Sequence, residues 1–533
     1  MSERNYISAV HDYSEDKILI WERPIQGGER TLRIIEPPRY FYVPDEAGEF
    51  TSITNVTLKK LTFETDDEFK EGIKRNPVRF ESDIQPVARA LMDLYCGVPP
   101  PALHYAFLDI ETDYKSELGF SSPMNPYAPI NAVTIYQSWS KKYLTYAVPP
   151  KGYADRAIFQ EKLLALSKEL QFDFELDVTL CSNERELLLR LIDDVQDADV
   201  ISGWNSEFFD LPYIVKRIEQ VLGKKSVAHL SFKGANPPKE RMITRFGEPS
   251  LTYVLSGRAH IDLLDAYKKF TFEGRTSYSL ANISAEELNA PKLEYDGTLE
   301  ELYNNDFVYF CAYNIRDVQC LVGLEHKFKF MPLMNNMAHE NTVPLITILG
   351  TVRYVETGVM NHAHSMHNRI CTDKSRPEKN KKVEGAVVMT PLAGLHKWIG
   401  SIDIKSLYPS TIRALNMSSE TFVGQFVDNE KAWAGIEAKS EQLFSCAFAD
   451  GTFATYTATE WGALIRDSGY AISAFGTLFD QNTPGMLADM LSFWYNERVR
   501  LQAEKKKYEA LAESARQELG QELPADLVAA LKI

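Results

Sequence analysis

Paired cysteines are missing from this chain. Its six cysteines (Cys96, Cys181, Cys311, Cys320, Cys371 and Cys446) are scattered through 533 residues without a CxxC spacing. That argues against a disulfide scaffold or a zinc framework and fits reduced thiols in a cytosolic protein. Long hydrophobic runs are missing too: none approaches the roughly 18 apolar residues of a membrane helix. The opening Met-Ser-Glu-Arg-Asn-Tyr lacks the apolar core of a signal peptide. A cytoplasmic location with no membrane partner is the expectation. Positive charge is in short supply, with 58 Lys and Arg against 74 Asp and Glu, a net charge of −16. This excludes nucleic-acid binding carried by net charge alone, though local basic patches could still serve. Clustered carboxylates at a metal site are one use for the acidic excess. Internal repeats and low-complexity tracts are also absent.

What is present reads as several domains of an α/β chain, since 533 residues exceed one ordinary domain. Residues 1–103 alternate short apolar runs with turns, as in Lys17-Ile-Leu-Ile-Trp21 and Tyr40-Phe-Tyr-Val43, and predict a mostly β module. Pro99-Pro-Pro101 marks a boundary. Residues 104–329 alternate strand and helix patterns and predict an α/β core. Within them, His104-Tyr-Ala-Phe-Leu-Asp-Ile-Glu-Thr112 and Ala198–Trp204 read as inner strands, and a helix opens at Phe209-Asp-Leu-Pro. Residues 330–374 read as helical and as packing back on the first module; 373–382 is a polar, basic linker. A β-rich segment is expected from Glu384-Gly-Ala-Val-Val388, and a long charged helix from Met486, carrying Lys505-Lys-Lys507.

Three motifs carry chemistry in the 104–329 stretch. Asp109-Ile-Glu111 places two carboxylates at i and i+2, which share one face of a strand. Asp210 ends Asn205-Ser-Glu-Phe-Phe-Asp210 at a strand-to-helix junction. Tyr313 and Asp317, at i and i+4, share a helix face. Four carboxylates of this kind can hold two Mg²⁺ ions about 3.5–4 Å apart, with Mn²⁺ as a substitute, for in-line phosphodiester hydrolysis. A Tyr hydroxyl can orient the attacking water. Alone, each motif is ordinary; their order within one α/β stretch is similar to the Exo I, Exo II and Exo III motifs of DnaQ-like 3′→5′ exonucleases. The resemblance implies an RNase H-like domain over 104–329. It casts Asp109, Glu111, Asp210 and Asp317 as metal ligands, Tyr313 as a catalytic partner, and Asn205 and Phe209 as contacts to the DNA end.

Ser401-Ile-Asp-Ile-Lys-Ser-Leu-Tyr-Pro-Ser410 resembles motif A of family B DNA polymerases. It implies a strand ending at Asp403, which would bind Mg²⁺, and a Ser406-Leu407-Tyr408-Pro turn offering backbone N–H groups to a dNTP. Tyr408 would lie beneath the sugar, where a ribose 2′-OH clashes. Phe493-Trp-Tyr-Asn-Glu-Arg498 resembles the start of the first fingers helix, with Arg498 on the triphosphate. The chain is most similar to the replicative family B polymerases of tailed bacteriophages. Arg241–Ser256 falls where that family carries a β-hairpin. Glu384-Gly-Ala386 falls at its Tyr-x-Gly-Gly/Ala position, with Val383-Glu384 departing from the pattern.

The resemblance divides the chain into an N-terminal domain (1–103), an exonuclease (104–329), a partial palm (375–484) and partial fingers (485–533). After Asp403 there is neither the Lys-x-x-x-Asn-Ser-x-Tyr-Gly motif nor the Asp-Thr-Asp motif of the family. The expectation is therefore the N-terminal subunit of a split polymerase, a proofreading nuclease joined to half a polymerase site. Its implied partners are primer–template DNA, single-stranded 3′ ends, dNTPs and a separate C-terminal chain. A sliding clamp would be reached through that chain, and the host cytoplasm is the location implied for a phage protein. The competing expectations are a truncated stand-alone 3′→5′ exonuclease and a non-catalytic DNA- or replisome-binding remnant.

Overall fold

The computed structural model describes residues 3–112, 119, 121–153, 155–170, 172, 174–245, 248–289, 293–374, 389–404 and 406–519. The linker beyond Lys374, the Val383–Val388 segment and the stretch after Leu519 lie outside the described residues. Contacts gather the chain into two compact units, Met1–Arg39 with Ile84–Gly358, and Tyr40–Asp83 with Val359–Ile533.

Along the chain, β1 (Arg4–Asp12), β2 (Lys17–Pro24) and β3 (Thr31–Ile35) make one antiparallel sheet. β4 (Tyr40–Pro44), β5 (Phe50–Thr51) and β6 (Thr57–Thr62) make another, in the order β4-β6-β5. Helices α1 (Asp66–Arg75) and α2 (Pro86–Tyr95) interrupt this mostly β region. The start of α1 follows from a capping box: the Thr65 hydroxyl accepts the Glu68 N–H while the Glu68 carboxylate accepts the Thr65 N–H.

The central sheet comes next, from β7 (Tyr105–Thr112), β8 (Ile130–Gln137), β9 (Lys142–Ala147), β10 (Leu176–Leu180) and β11 (Val200–Gly203). A hairpin, β12 (Lys239–Arg245) with β13 (Glu248–Val254), precedes its last strand, β14 (Ala259–Asp262). The sheet order is β10-β9-β8-β7-β11-β14. β7 runs antiparallel to β8 and parallel to β11, so it lies inside the sheet. The antiparallel β12–β13 pair is the hairpin expected near Arg241–Ser256. Interspersed are α3 (Phe159–Glu169), α4 (Glu184–Asp194) and α5 (Asp210–Leu222). After β14 come α6 (Leu263–Phe270), α7 (Leu280–Leu288), α8 (Leu299–Asn305), α9 (Phe307–Phe328), α10 (Phe330–Glu340) and α11 (Val352–His367).

Strand alternation on β7 decides where the chemistry goes. Ala106, Leu108 and Ile110 enter the core that holds Leu188 and Ile214, on α4 and α5. Phe107 enters the opposite core, with Val318 and Leu321 of α9. Asp109 and Glu111 continue the Phe107 face, toward α9. In the same unit α10 meets β1: the Tyr6 hydroxyl lies 3.0 Å from the carbonyls of both Ala338 and Val343.

In the second unit, α12 (Leu407–Leu415) precedes a five-stranded antiparallel sheet with the order β17-β16-β15-β19-β18. Its strands are β15 (Phe422–Phe426), β16 (Leu443–Phe448), β17 (Phe453–Thr457), β18 (Tyr470–Ile472) and β19 (Thr477–Asp480). With α13 (Asn429–Glu437) and α14 (Ala458–Asp467), it encloses Phe426, Phe444 and Trp461; the Trp461 indole donates to the Phe444 carbonyl at 2.8 Å. The long helix α15 (Met486–Leu519) follows. Among the described residues, no helix is long and apolar enough to cross a membrane.

One expectation needs correction: residues 401–404 form no strand. The β-rich start expected at 384–388 lies outside the described residues. A strand is held by ladder hydrogen bonds to a neighbour. No strand pairs with 401–404 among the described residues, so the segment has no regular secondary structure.

Candidate active site

Three elements deliver the candidate carboxylates. β7 supplies Asp109 and Glu111, and α9 supplies Asp317. Carboxylate oxygens of all three lie within 4.8 Å of one another. α5 supplies Asp210 from its first turn, buried, with its Oδ1 accepting the Ile110 N–H at 3.3 Å. Asp210 thus sits against the backbone of the strand that bears the other two. Burial pushes its pKa up to about 7; the Ile110 and Asp210 N–H groups oppose this, while Asp262 and Asp317 add to it.

The donor set fits Mg²⁺. Every candidate ligand is a carboxylate oxygen, the hard donor that this cation prefers. Gathering such groups within 4.8 Å makes a negative pocket that a divalent cation neutralises.

The approach to Asp210 depends on a tight turn after β11. A Cβ on Gly203 would lie 2.7 Å from the Leu108 carbonyl oxygen and 2.8 Å from the Ser206 Cβ, so only glycine allows β11 this close to β7. Asn205 takes the left-handed conformation (φ 59). Its N–H donates to Asp262 at 2.9 Å, and the Glu207 N–H donates to the same carboxylate at 3.0 Å. Asp262 also caps α6 through the Leu264 N–H, at 3.0 Å. This buried carboxylate therefore shapes the loop that presents Asn205, Phe209 and Asp210. Burial raises its pKa to about 7. The Phe209 ring is half-buried and stacks on Tyr213 with centroids 5.5 Å apart.

α9 adds one residue that the motif reading passed over. The Asn314 side-chain amide donates to Asp109 Oδ2 at 2.8 Å and lies 3.2 Å from the Asp109 carbonyl. Tyr313, also buried, meets the Tyr295 ring edge-on, centroids 5.3 Å apart. Asn314 and Asp262 are fully legible only in three dimensions, since their partners lie 205 and 57 residues away. The one available signal was the position of Asn314 between Tyr313 and Asp317.

The polymerase-like residues occupy the second unit. Asp403 is exposed in the irregular 401–404 segment. Ser406 is left-handed (φ 53) and stands at the N-terminus of α12, so the Ser406–Pro409 turn is the first turn of a helix. Leu407 and Tyr408 are 49% and 71% exposed. Arg498, on α15, lies with its guanidinium 3.4 Å from the Ser406 hydroxyl. The Arg413 guanidinium joins the same helices by donating to Ser492 at 3.0 Å. Arg498 and Ser406, 92 residues apart, are thus brought together.

Two family descriptions match the chain. The DNA polymerase family B exonuclease domain matches residues 35–283, and DNA polymerase family B matches residues 346–521. Tyr313, Asn314 and Asp317 fall between these stretches and join the site through geometry. The chain is 29% identical over 432 residues to the DNA-directed DNA polymerase of Escherichia phage RB69, covering 76% of this chain and 46% of that protein. It is 28% identical over 346 residues to the DNA-directed DNA polymerase of Enterobacteria phage T4, covering 62% and 37%. The DNA polymerase delta catalytic subunit of Dictyostelium discoideum is 28% identical over 240 residues, 43% of this chain and 21% of that subunit. The chain therefore spans less than half the length of the relatives it matches. With an exonuclease domain of the family before residue 283 and its polymerase domain from residue 346, the chain belongs to DNA polymerase family B.

Proposed function

We propose that this chain is the N-terminal subunit of a split replicative DNA polymerase, contributing the whole 3′→5′ proofreading exonuclease and half of the polymerase site. The observation carrying the nuclease half is the convergence of Asp109, Glu111 and Asp317 within 4.8 Å, with Asp210 buried beside them. These four would hold two Mg²⁺ ions, or Mn²⁺ in their place, which when bound activate a water and neutralise the leaving 3′ oxygen. Asn314 holds Asp109 in position. The Tyr313 hydroxyl orients the attacking water, and Asn205 and Phe209 seat the terminal nucleotides of a single-stranded 3′ end.

For the polymerase half, Asp403 is the palm carboxylate, Ser406, Leu407 and Tyr408 line the dNTP, and Arg498 approaches its triphosphate. A second polypeptide is supported by the surface around Asp403. Leu392, Leu395, Trp398, Ile399, Ile402 and Ile404 are all exposed, Trp398 and Ile402 almost completely. So dense an apolar run is a feature of interaction surfaces and suits docking of a C-terminal polymerase chain. Sliding-clamp contact would come through that chain. The modules assigned are 1–103, 104–329, 375–484 and 485–533.

The test compares the parent with Asp109→Ala/Glu111→Ala on a single-stranded 3′ end in Mg²⁺. Degradation by the parent and its loss in the variant are expected. After addition of the C-terminal partner chain, template-directed synthesis should appear with both forms. Equal degradation by both proteins would refute the site, and synthesis failing only in the variant would refute the separation of the two activities.

A further inference from the structure

The second unit contains a cluster that neither polymerase nor nuclease chemistry uses. His362 lies on α11, His367 ends that helix, and Asp489 lies in the first turn of α15. Both imidazoles turn Nε2 toward a single carboxylate oxygen: Asp489 Oδ2 is 3.3 Å from His362 and 3.1 Å from His367. The rings are 5.2 Å apart, and all three ligand atoms lie within 4.8 Å of one another. We propose that His362, His367 and Asp489 form a binding site for a divalent transition metal of the Zn²⁺ class, bracing the end of α11 against the start of α15.

The distances favour this ion class. Ligands on tetrahedral arms of 2.0–2.1 Å stand about 3.3–3.4 Å apart, close to both nitrogen–oxygen separations here. Two imidazoles and a carboxylate suit Zn²⁺ and Co²⁺, whereas Mg²⁺ takes oxygen ligands. This donor set therefore selects a different metal from the all-carboxylate nuclease pocket. Three protein ligands leave a fourth position for water, and Asp489 is partly exposed, which admits it. A cleft of about 230 Å³ adjoins His367, and Arg369, Glu420 and Asp480 also line it. Asn368, left-handed (φ 49), ends α11 directly after His367, so the second imidazole sits on the last helical residue.

The experiment uses the full chain carrying Asp109→Ala and Glu111→Ala, which removes the nuclease carboxylates as competing ligands, with Mg²⁺ in excess. Co²⁺ is titrated in and read by its visible absorption. The expected result is one equivalent bound with the intense bands of four-coordinate Co²⁺, displaced by Zn²⁺. His362→Ala, His367→Ala and the near-isosteric Asp489→Asn should each weaken Co²⁺ at least tenfold while melting like the parent without metal. Zn²⁺ should raise the melting temperature of the parent and not of these variants. Absence of four-coordinate bands in the parent, or an affinity that the substitutions leave unchanged, would overturn the proposal.

Discussion

Asn314 and Asp210 show what single residues contribute to the candidate carboxylate pocket. The Asn314 amide reaches Asp109 through its carboxylate and toward its carbonyl. Asn314→Ala would remove the amide that contacts the Asp109 carboxylate. Loss of a partner that orients a metal ligand typically costs roughly 10–100-fold in metal affinity or activity. The expected outcome is a loss of that size in Mg²⁺-dependent degradation, partly restored by higher Mg²⁺; an unchanged rate would remove Asn314 from the site. In the proposed nuclease, Asp210 sets the acid side of the pH profile. Its pKa of about 7 means that protons compete with cations below that pH. The apparent Mg²⁺ affinity should fall roughly tenfold from pH 8 to pH 6, measured by Mg²⁺ titrations of the cleavage rate. A flat profile would contradict the assignment. Asp109 and Glu111 were legible because strand alternation is a local rule. Asn314 and Asp262 were not, because their roles arise from contacts between distant segments.

Elements show where local pattern suffices and where it fails. β7, β11 and the helix opening at Asp210 follow from apolar runs closed by polar residues, and all three exist. The 401–404 strand does not, because a strand is a property of a pair and residues 401–404 have no paired strand among the described residues. Gly203 belongs to this scale as well. Gly203→Ala places a methyl group against the Leu108 carbonyl, and overpacking of this kind costs about 1–3 kcal/mol. Its midpoint in urea should fall accordingly, and nuclease activity should fall with it, because the same turn carries Asp210. α9 supplies a stability test away from the pocket. Glu325 is buried on it and accepts the Met331 N–H at 3.1 Å, and burial raises its pKa to about 8. The folded state therefore keeps a proton that the unfolded chain releases near pH 4.3. Stability from this group is fully present below about pH 4, declines as pH rises toward 8, and is then constant. Glu325→Gln should match the stability of the parent near pH 4.5 and exceed it at pH 9, by up to about 5 kcal/mol. An offset independent of pH would contradict this.

At the scale of the whole molecule, the chain combines a family B exonuclease domain and part of a family B polymerase domain, with two compact units interleaved along the sequence. This interleaving was not legible locally, since Tyr40–Asp83 joins the unit of Val359–Ile533 across hundreds of intervening residues. The net charge of −16 makes weak binding to duplex DNA the expectation for the chain by itself. Replacing Trp398 and Ile402 with serine should leave nuclease activity unchanged and weaken capture of the C-terminal chain, as read by co-purification. The most direct measurement is a primer–template assay on the purified chain in Mg²⁺, with and without dNTPs, resolved to single nucleotides. The account predicts progressive shortening of the primer in both conditions. Primer extension by the chain alone, or no shortening in either condition, would contradict it.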